Sequence, residues 1–268
     1  MDWAKVKTIL IILFILLNVF LFITIMNNNT TLSFQSSYAR YATEYLKSKD
    51  ITIASQIPNV KGKVGVLAFG TRSLDINALS VLVFGKQVEP VEKDDRVIIK
   101  EGEESIILEG QTLMLTDKLS RGTELFADAQ KFQESVYGYL GALGIQKTQL
   151  SQPSINMTED LRVYHFYMKY KNFLLFDQPI SVSINRDGIM SLSLPTREVK
   201  RVQSPNEILS IYQILVMGQV PQNSTITQVE FGFKKTGQDD LFDSPVWHIL
   251  LEDGQSLFYN AYTGEKVL

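Results

Sequence analysis

Few residues in this chain have the chemistry for catalysis. There are two histidines, His165 and His248, and no cysteine among 268 residues. A zinc site needs imidazole, thiolate or carboxylate donors at set spacings such as His-Glu-x-x-His, and neither histidine has such neighbours. Thiol nucleophiles are excluded. No Gly-x-Ser-x-Gly elbow or Ser-x-x-Lys motif offers an activated serine. No glycine-rich loop follows a strand to cradle phosphate. Acid pairs occur at Asp94-Asp95 and Asp239-Asp240. Two carboxylates can hydrolyse a glycoside only at a fixed separation, and loops set none. The acidic runs Glu89 to Asp95 and Glu101 to Glu104 lack the alternating carboxylates and glycine turn of a calcium loop, and read as solvated edges. Both histidines fall inside strand-like runs, where a hydrogen-bonded or sheet-surface role is expected. The chain reads as a non-enzyme without metal or cofactor, so its function must lie in binding.

One polar side chain stands out for what surrounds it. Thr8 to Met26 contains no charge, and Asn18 is its one strongly polar residue near the middle. Nineteen helical residues span about 28 Å, close to the hydrocarbon thickness of a bilayer. The run has no polar face, so a membrane helix is expected. Lys5 and Lys7 precede it and no basic residue follows until Arg40. The positive-inside rule then puts the N-terminus in the cytoplasm and the remaining chain outside. The apolar run exceeds that of a cleaved signal peptide, and its exit at Thr24-Ile25-Met26 is bulky, which favours an uncleaved anchor. Ile11, Phe14, Ile15, Asn18, Leu21, Phe22 and Ile25 share one helical face at heptad-like spacing. That face could meet another membrane helix, with Asn18 bonding across for about 1 kcal/mol. Asn18 could equally turn to its own backbone, leaving a plain anchor.

The rest of the chain has to position whatever this helix holds. It is mildly acidic: without Asp2, Lys5 and Lys7, 28 acids face 24 bases. No basic patch points to nucleic acid. Without disulfides, stability must come from an ordinary core. Phe34, Tyr38, Tyr41 with Ala42, and Tyr45 form a helical stripe ending near Lys49, expected to face the core. Short apolar runs at Lys63 to Phe69, Leu79 to Phe84, Arg96 to Lys100, Ser105 to Leu108 and Thr112 to Leu115, with glycine-containing breaks, read as antiparallel strands. A second helix is expected from an N-cap at Thr123, through Phe132, Val136 and Leu140, to a left-handed cap at Gly144. Val163 to Tyr170 alternates, with Tyr164, Phe166, Met168 and Tyr170 on one face and His165, Tyr167 and Lys169 on the other. Asp187-Gly188 joins strands Ile180 to Arg186 and Ile189 to Leu194, and Asp253-Gly254 repeats the signal. Ser204-Pro205-Asn206-Glu207 reads as a capping box opening a third helix that Gly218 closes. Ile226 to Lys234, Val246 to Glu252, Gln255 to Tyr259 and Glu265 to Leu268 complete the strands.

The expected architecture is α+β: a single N-terminal transmembrane helix, then an extracellular domain of helix-plus-antiparallel-sheet units. Residues 1–7 form the cytoplasmic N-terminus, 8–26 the membrane helix and 27–32 a short stalk. Residues 33–117 form a first α+β unit and 118–268 a second region.

The N-terminal residues Met1, Asp2, Trp3, Lys5, Lys7, Thr8 and Ile9, followed by an apolar span with Asn18 near its middle, resemble the YycI (WalI) family. The closing segment, Trp247 to Asp253-Gly254 to Tyr259-Asn260-Ala261-Tyr262-Thr263-Gly264-Glu265, is similar to the last strands of PepSY-like domains, with Asn260 where those more often have Asp. The resemblance implies a regulator in the cell membrane. It implies partnership with YycH and with the sensor histidine kinase YycG (WalK), partly through transmembrane helices. It implies control of the YycFG (WalKR) two-component system and cell-wall metabolism in low-GC Gram-positive bacteria. The alternative is a tethered extracellular ligand-binding or protease-inhibiting PepSY-like domain. A wall-active hydrolase using the acids at Asp94, Asp95, Asp239 or Asp240 is the weakest reading.

Overall fold

The computed structural model of the chain describes residues 3–27, 30–93, 96–218, 220–236 and 241–267. Helix α1 covers Trp3–Asn27 and α2 covers Thr30–Lys47. Strands β1 (Thr52–Ile53) and β2 (Lys63–Thr71) follow, then α3 (Ile76–Phe84). A meander comprises β3 (Val91–Lys93), β4 (Arg96–Glu101), β5 (Glu104–Glu109) and β6 (Thr112–Lys118). Helices α4 (Gly122–Ala127) and α5 (Ala129–Ala142) lead to β7 (Ser154–Met157), β8 (Leu161–Tyr170), β9 (Phe173–Asn185), β10 (Ile189–Pro195) and β11 (Arg197–Glu207). Helix α6 (Ile211–Met217) precedes β12 (Thr225–Lys235), β13 (Phe242–Leu251), β14 (Ser256–Asn260) and β15 (Lys266–Val267). The fold is α+β with one large, mostly antiparallel sheet among the described residues.

The sheet forks at β9. Strand β8 pairs along one edge of β9 from Leu161↔Asn185 to Tyr170↔Phe173. The other edge is divided: Leu174 and Leu175 pair in parallel with β12, and residues 181–184 pair with β10. One branch runs β12-β13-β2-β11, with β14 also attached to β13 and β15 to β14. The other runs β10-β6-β5-β4-β3. Hydrogen-bonded pairing therefore crosses the 117/118 position, since β6 lies against β10.

The sheet carries two cores, the first also taking in Leu67 and Phe69 of β2. In the first, α3 and α5 press Leu79, Val83, Phe132, Val136 and Leu140 onto the sheet beside Tyr164, Phe166 and Ile106. In the other, α2 and α6 bring Leu46, Ile211, Ile214 and Leu215 onto Trp247, Ile249 and Leu257. Burying a side chain such as Trp247 or Phe132 contributes roughly 2–3 kcal/mol by area removed from water. The alternation expected in β8 holds: Tyr164, Phe166 and Met168 are buried and His165 and Tyr167 are exposed. Both Asp-Gly turns join hairpins, with Gly188 at φ +79° and Gly254 at φ +85°.

Four local expectations are corrected. The apolar run Leu79 to Phe84 is helix α3, not a strand. Asp75 Oδ1 accepts from the Ala78 N–H at 3.0 Å and Gly85 closes the helix at φ +69°, so both ends are capped. The long helix expected from Thr123 is two helices, because Asp128 interrupts it. Asp128 Oδ1 instead caps α5 by accepting from Gln130 and Lys131 N–H groups. Ser204-Pro205-Asn206-Glu207 lies in strand β11, and the third helix starts later. Ser210 caps α6, with Gln213 completing the reciprocal box. Long-range pairing of β11 with β2 outweighs the local capping pattern: Ser204 and Pro205 fall in a bulge, and Asn206 and Glu207 pair with Val64 and Lys63. In α2 the buried stripe is Ala42 and Leu46, while Tyr41 stays 56% exposed. Tyr38, Tyr41 and Tyr45 form a ladder of ring contacts at 6.1 and 6.5 Å beside that stripe. The side chain of Phe34 lies outside the described residues.

Candidate functional site

Helix α1 presents its described side chains to the outside. Ile11, Phe14, Ile15, Asn18 and Leu21 are all exposed, and the side chains of Phe22 and Ile25 lie outside the described residues. The spacing of the described members keeps them on one stripe of the helix. Asn18 Nδ2 donates to the carbonyl oxygen of Phe14 at 2.9 Å, one turn back. The carboxamide thus turns to its own backbone, and its Oδ1 has no bond among the described residues. Among the described residues, no helix is long and apolar enough to cross a membrane. Several side chains of the Thr8 to Met26 span lie outside them.

A second candidate is a groove of about 750 Å³ beside the fork of the sheet. One wall is the outward face of β8, carrying His165, Tyr167 and Lys169, extended by Ser151 and Gln152. The facing wall comes from β12, β13 and β14, with Gln228, Glu230, His248 and Ser256. Pro58 and Val60, in the segment after β1, form part of the rim. The groove brings together both histidines, which the sequence places 83 residues apart.

The His248 ring is held on every side. Glu230 and His248 are opposite each other across β12 and β13, and His248 and Phe258 across β13 and β14. His248 Nδ1 lies 3.1 Å from Glu230 Oε2, and Nε2 lies 3.3 Å from Ser256 Oγ. The ring stacks on Phe258 at 4.5 Å and meets the edge of Phe176 at 5.2 Å. Cross-strand neighbours of this kind fix side-chain orientation as well as register. Hydroxyl, imidazole and carboxylate stand in the order of a nucleophilic triad. Such a triad also needs N–H donors converging on an oxyanion. Ser256 follows a tight turn on a strand and opens no helix, so no helix N-terminus lies behind its hydroxyl. The arrangement is that of a braced polar surface.

The other candidates separate. Asp94, Asp95, Asp239 and Asp240 lie outside the described residues. Within the cluster Glu101 to Glu104, Glu101 pairs with Lys86 at 2.7 Å and Glu103 with Lys118 at 2.6 Å, so these acids have lysine partners. No group of three or more metal-type donors occurs among the described residues. Asn260 holds a turn: its Oδ1 accepts from the N–H groups of Tyr262 at 2.8 Å and Thr263 at 3.3 Å. The β8 wall of the groove was legible in the sequence as the outer face of an alternating strand. The facing wall was not, because no local motif links Glu230, His248 and Ser256.

Comparison with solved structures finds the fold in another chain. An uncharacterized protein from Eubacterium rectale ATCC 33656 superposes with a TM-score of 0.55 at 11% identity, covering 82% of this chain and 91% of that one. The Bacillus megaterium YpeB C-terminal domain gives a TM-score of 0.40 at 11% identity, covering 71% and 92%. No curated protein matches the sequence. The family model described as YycI protein matches residues 29–262, nearly all of the chain beyond the first helix. The chain therefore belongs to the YycI family.

Proposed function

We propose that this protein is a membrane-anchored accessory regulator of the YycG (WalK) sensor histidine kinase. It acts with YycH to modulate the YycFG two-component system that controls cell-wall metabolism. The observation that carries this reading is the family match across residues 29–262; the family is one of regulatory accessory proteins. In this reading α1 is a single-pass anchor with its N-terminus in the cytoplasm, and the domain from α2 onward is extracellular. Regulation is differential binding: α1 and the domain meet one state of the kinase better than another and shift the balance between them. The exposed stripe of Ile11, Phe14, Ile15, Asn18 and Leu21, continued by Phe22 and Ile25, is the partner face. Asn18 satisfies one amide proton within its own helix, which lowers its cost in hydrocarbon. Its carboxamide oxygen remains for an interhelical donor.

The test replaces Thr8 to Met26 by an unrelated membrane span in the native host and reads kinase output. Loss of regulation, with the domain still folded and exported, is expected. Unchanged output refutes a role for the helix. A photocrosslinking residue beside Asn18 should capture the kinase or YycH, and capture of neither removes them as partners of this face.

A further inference from the structure

The groove's one lysine and its one carboxylate are not paired with each other among the described residues. Glu230 is its only carboxylate among the described residues, and that carboxylate is already bonded to His248 at 3.1 Å. On the opposite wall Lys169 is half-buried, and its ammonium has no ion pair, hydrogen bond or ring partner among the described residues. A partly desolvated cation without a counter-charge is a cost that a bound anion relieves. Elsewhere lysines near acids are paired, as in Lys86–Glu101 and Lys234–Asp177. Lys169 is the groove's one lysine or arginine, and the chain supplies it no partner among the described residues.

The spacing of that wall says what would fit. Lys169, Tyr167 and His165 occupy alternate positions on one face of β8. Positions two apart along a strand are separated by about 6.6 Å, so Lys169 and His165 stand about 13 Å apart. Tyr167 lies between them and is 41% exposed. An extended peptide has the same rise and the same alternation. With acidic side chains at its first and fifth positions it would reach Lys169 and His165 together, and an apolar side chain at the third would cover Tyr167. The side-chain amides of Gln152 and Gln228 on the walls suit a peptide main chain. A sugar chain repeats at a different spacing and presents no side chain every second unit.

We propose that this groove binds an extended segment of a partner protein, with two acidic side chains four residues apart and an apolar one midway. The binding does not depend on which membrane protein α1 meets.

The test uses the full chain in detergent micelles and a fluorescein-labelled heptapeptide, Ser-Glu-Ser-Leu-Ser-Glu-Ser, read by fluorescence anisotropy. Saturable binding is expected. Replacing both glutamates by glutamine should weaken it about tenfold or more, the scale of a lost charge-assisted contact. Lys169→Met should do the same with unchanged circular dichroism. Lys169→Glu should reject the acidic peptide and accept one carrying lysine at the same two positions. Lys100→Met, on β4 away from the groove, should bind as the parent does. The proposal is overturned if the heptapeptide does not bind at millimolar concentration, or if the glutamine peptide binds equally. It is also overturned if Lys169→Met changes nothing, or if an oligogalacturonate of similar length outcompetes the peptide.

Discussion

Arg197 on β11 and Asp243 on β13 meet across the intervening strand β2, with Nη2 2.9 Å from Oδ1 and both side chains buried. The Arg197 guanidinium also lies over the Phe69 ring of β2, 4.2 Å from its centroid. This pair closes the end of one branch of the sheet, using residues 46 positions apart. Burial pushes the Asp243 carboxyl above the usual carboxylate range, and the Arg197 charge opposes that push. Attraction between buried ions often only balances their desolvation, whereas removing one partner leaves an uncompensated charge.

Arg197→Met should therefore cost about 3–5 kcal/mol at neutral pH. The Arg197→Met/Asp243→Leu double variant should recover most of it. Because the stranded carboxyl has a raised folded-state pKa, protonation relieves it. The penalty should be full above that pKa and shrink as pH falls below it. Urea unfolding of the three proteins at several pH values measures both effects. Equal losses in the single and double variants would show that packing, not charge, holds this contact.

A second buried acid sets the pH dependence of the other branch. Asp117 on β6 is 7% exposed, and burial raises its pKa to about 6, with the Tyr139 hydroxyl of α5 offsetting part of the shift and Glu104 adding to it. The folded state then binds a proton between about pH 4 and pH 6 that the unfolded chain has released. The contribution of this group to stability is complete below about pH 4 and is lost as pH rises through 6. Asp117→Asn cannot ionise, so it should be more stable than wild type at pH 8 by about 2 kcal/mol, after allowing for solvent screening. The two proteins should converge below pH 4. A pH-independent difference in unfolding midpoint would contradict the ionisation argument.

A close backbone approach ties α4 to the β9–β10 turn. A Cβ added to Gly122 would lie 2.3 Å from the Cα and carbonyl oxygen of Gly188, and rigid backbone cannot move aside as a flexible side chain can. Gly188 itself has φ +79°, where a side chain is strained. Gly122→Ala should destabilise the protein by about 2 kcal/mol or more through overpacking. Gly138→Ala, on α5 with open space at its Cβ, should be neutral or stabilising by up to about 1 kcal/mol. Thermal unfolding of the pair separates the effect of the contact from that of helix propensity.

Much of this fold was written locally. The meander β4–β5–β6, the alternation of β8 and the two Asp-Gly hairpins rest on period-two patterning and turn residues that act over a few positions. The apolar pattern alone failed where caps or a distant strand decided. Leu79 to Phe84 is apolar enough to be a strand, yet its caps at Asp75 and Gly85 make it a helix. Ser204-Pro205-Asn206-Glu207 has every sign of a helix start, yet β2 recruits it into a sheet. The stripe of α2 that includes Ala42 pointed to a core face, but Tyr41 stays exposed and Leu46 joins the core with α6. The groove was half legible, since only its β8 wall belongs to one strand. Its other wall exists only once Glu230, His248 and Ser256 are in register.

The true start of α6 can be told from the apparent one by two serines. Ser210 Oγ accepts from the Gln213 N–H at 3.3 Å, and Gln213 Oε1 accepts from the Ser210 N–H at 2.8 Å. Ser210→Ala removes the side-chain half of that box and should cost about 1 kcal/mol. Ser204 sits in the bulge of β11 at φ +34°, a conformation that favours glycine. Ser204→Gly should therefore stabilise the protein by up to about 1 kcal/mol, where loss of a cap would have weakened it. Denaturant midpoints for the two variants should move in opposite directions. If Ser204→Gly destabilises as much as Ser210→Ala, the bulge depends on the serine side chain and not on backbone freedom.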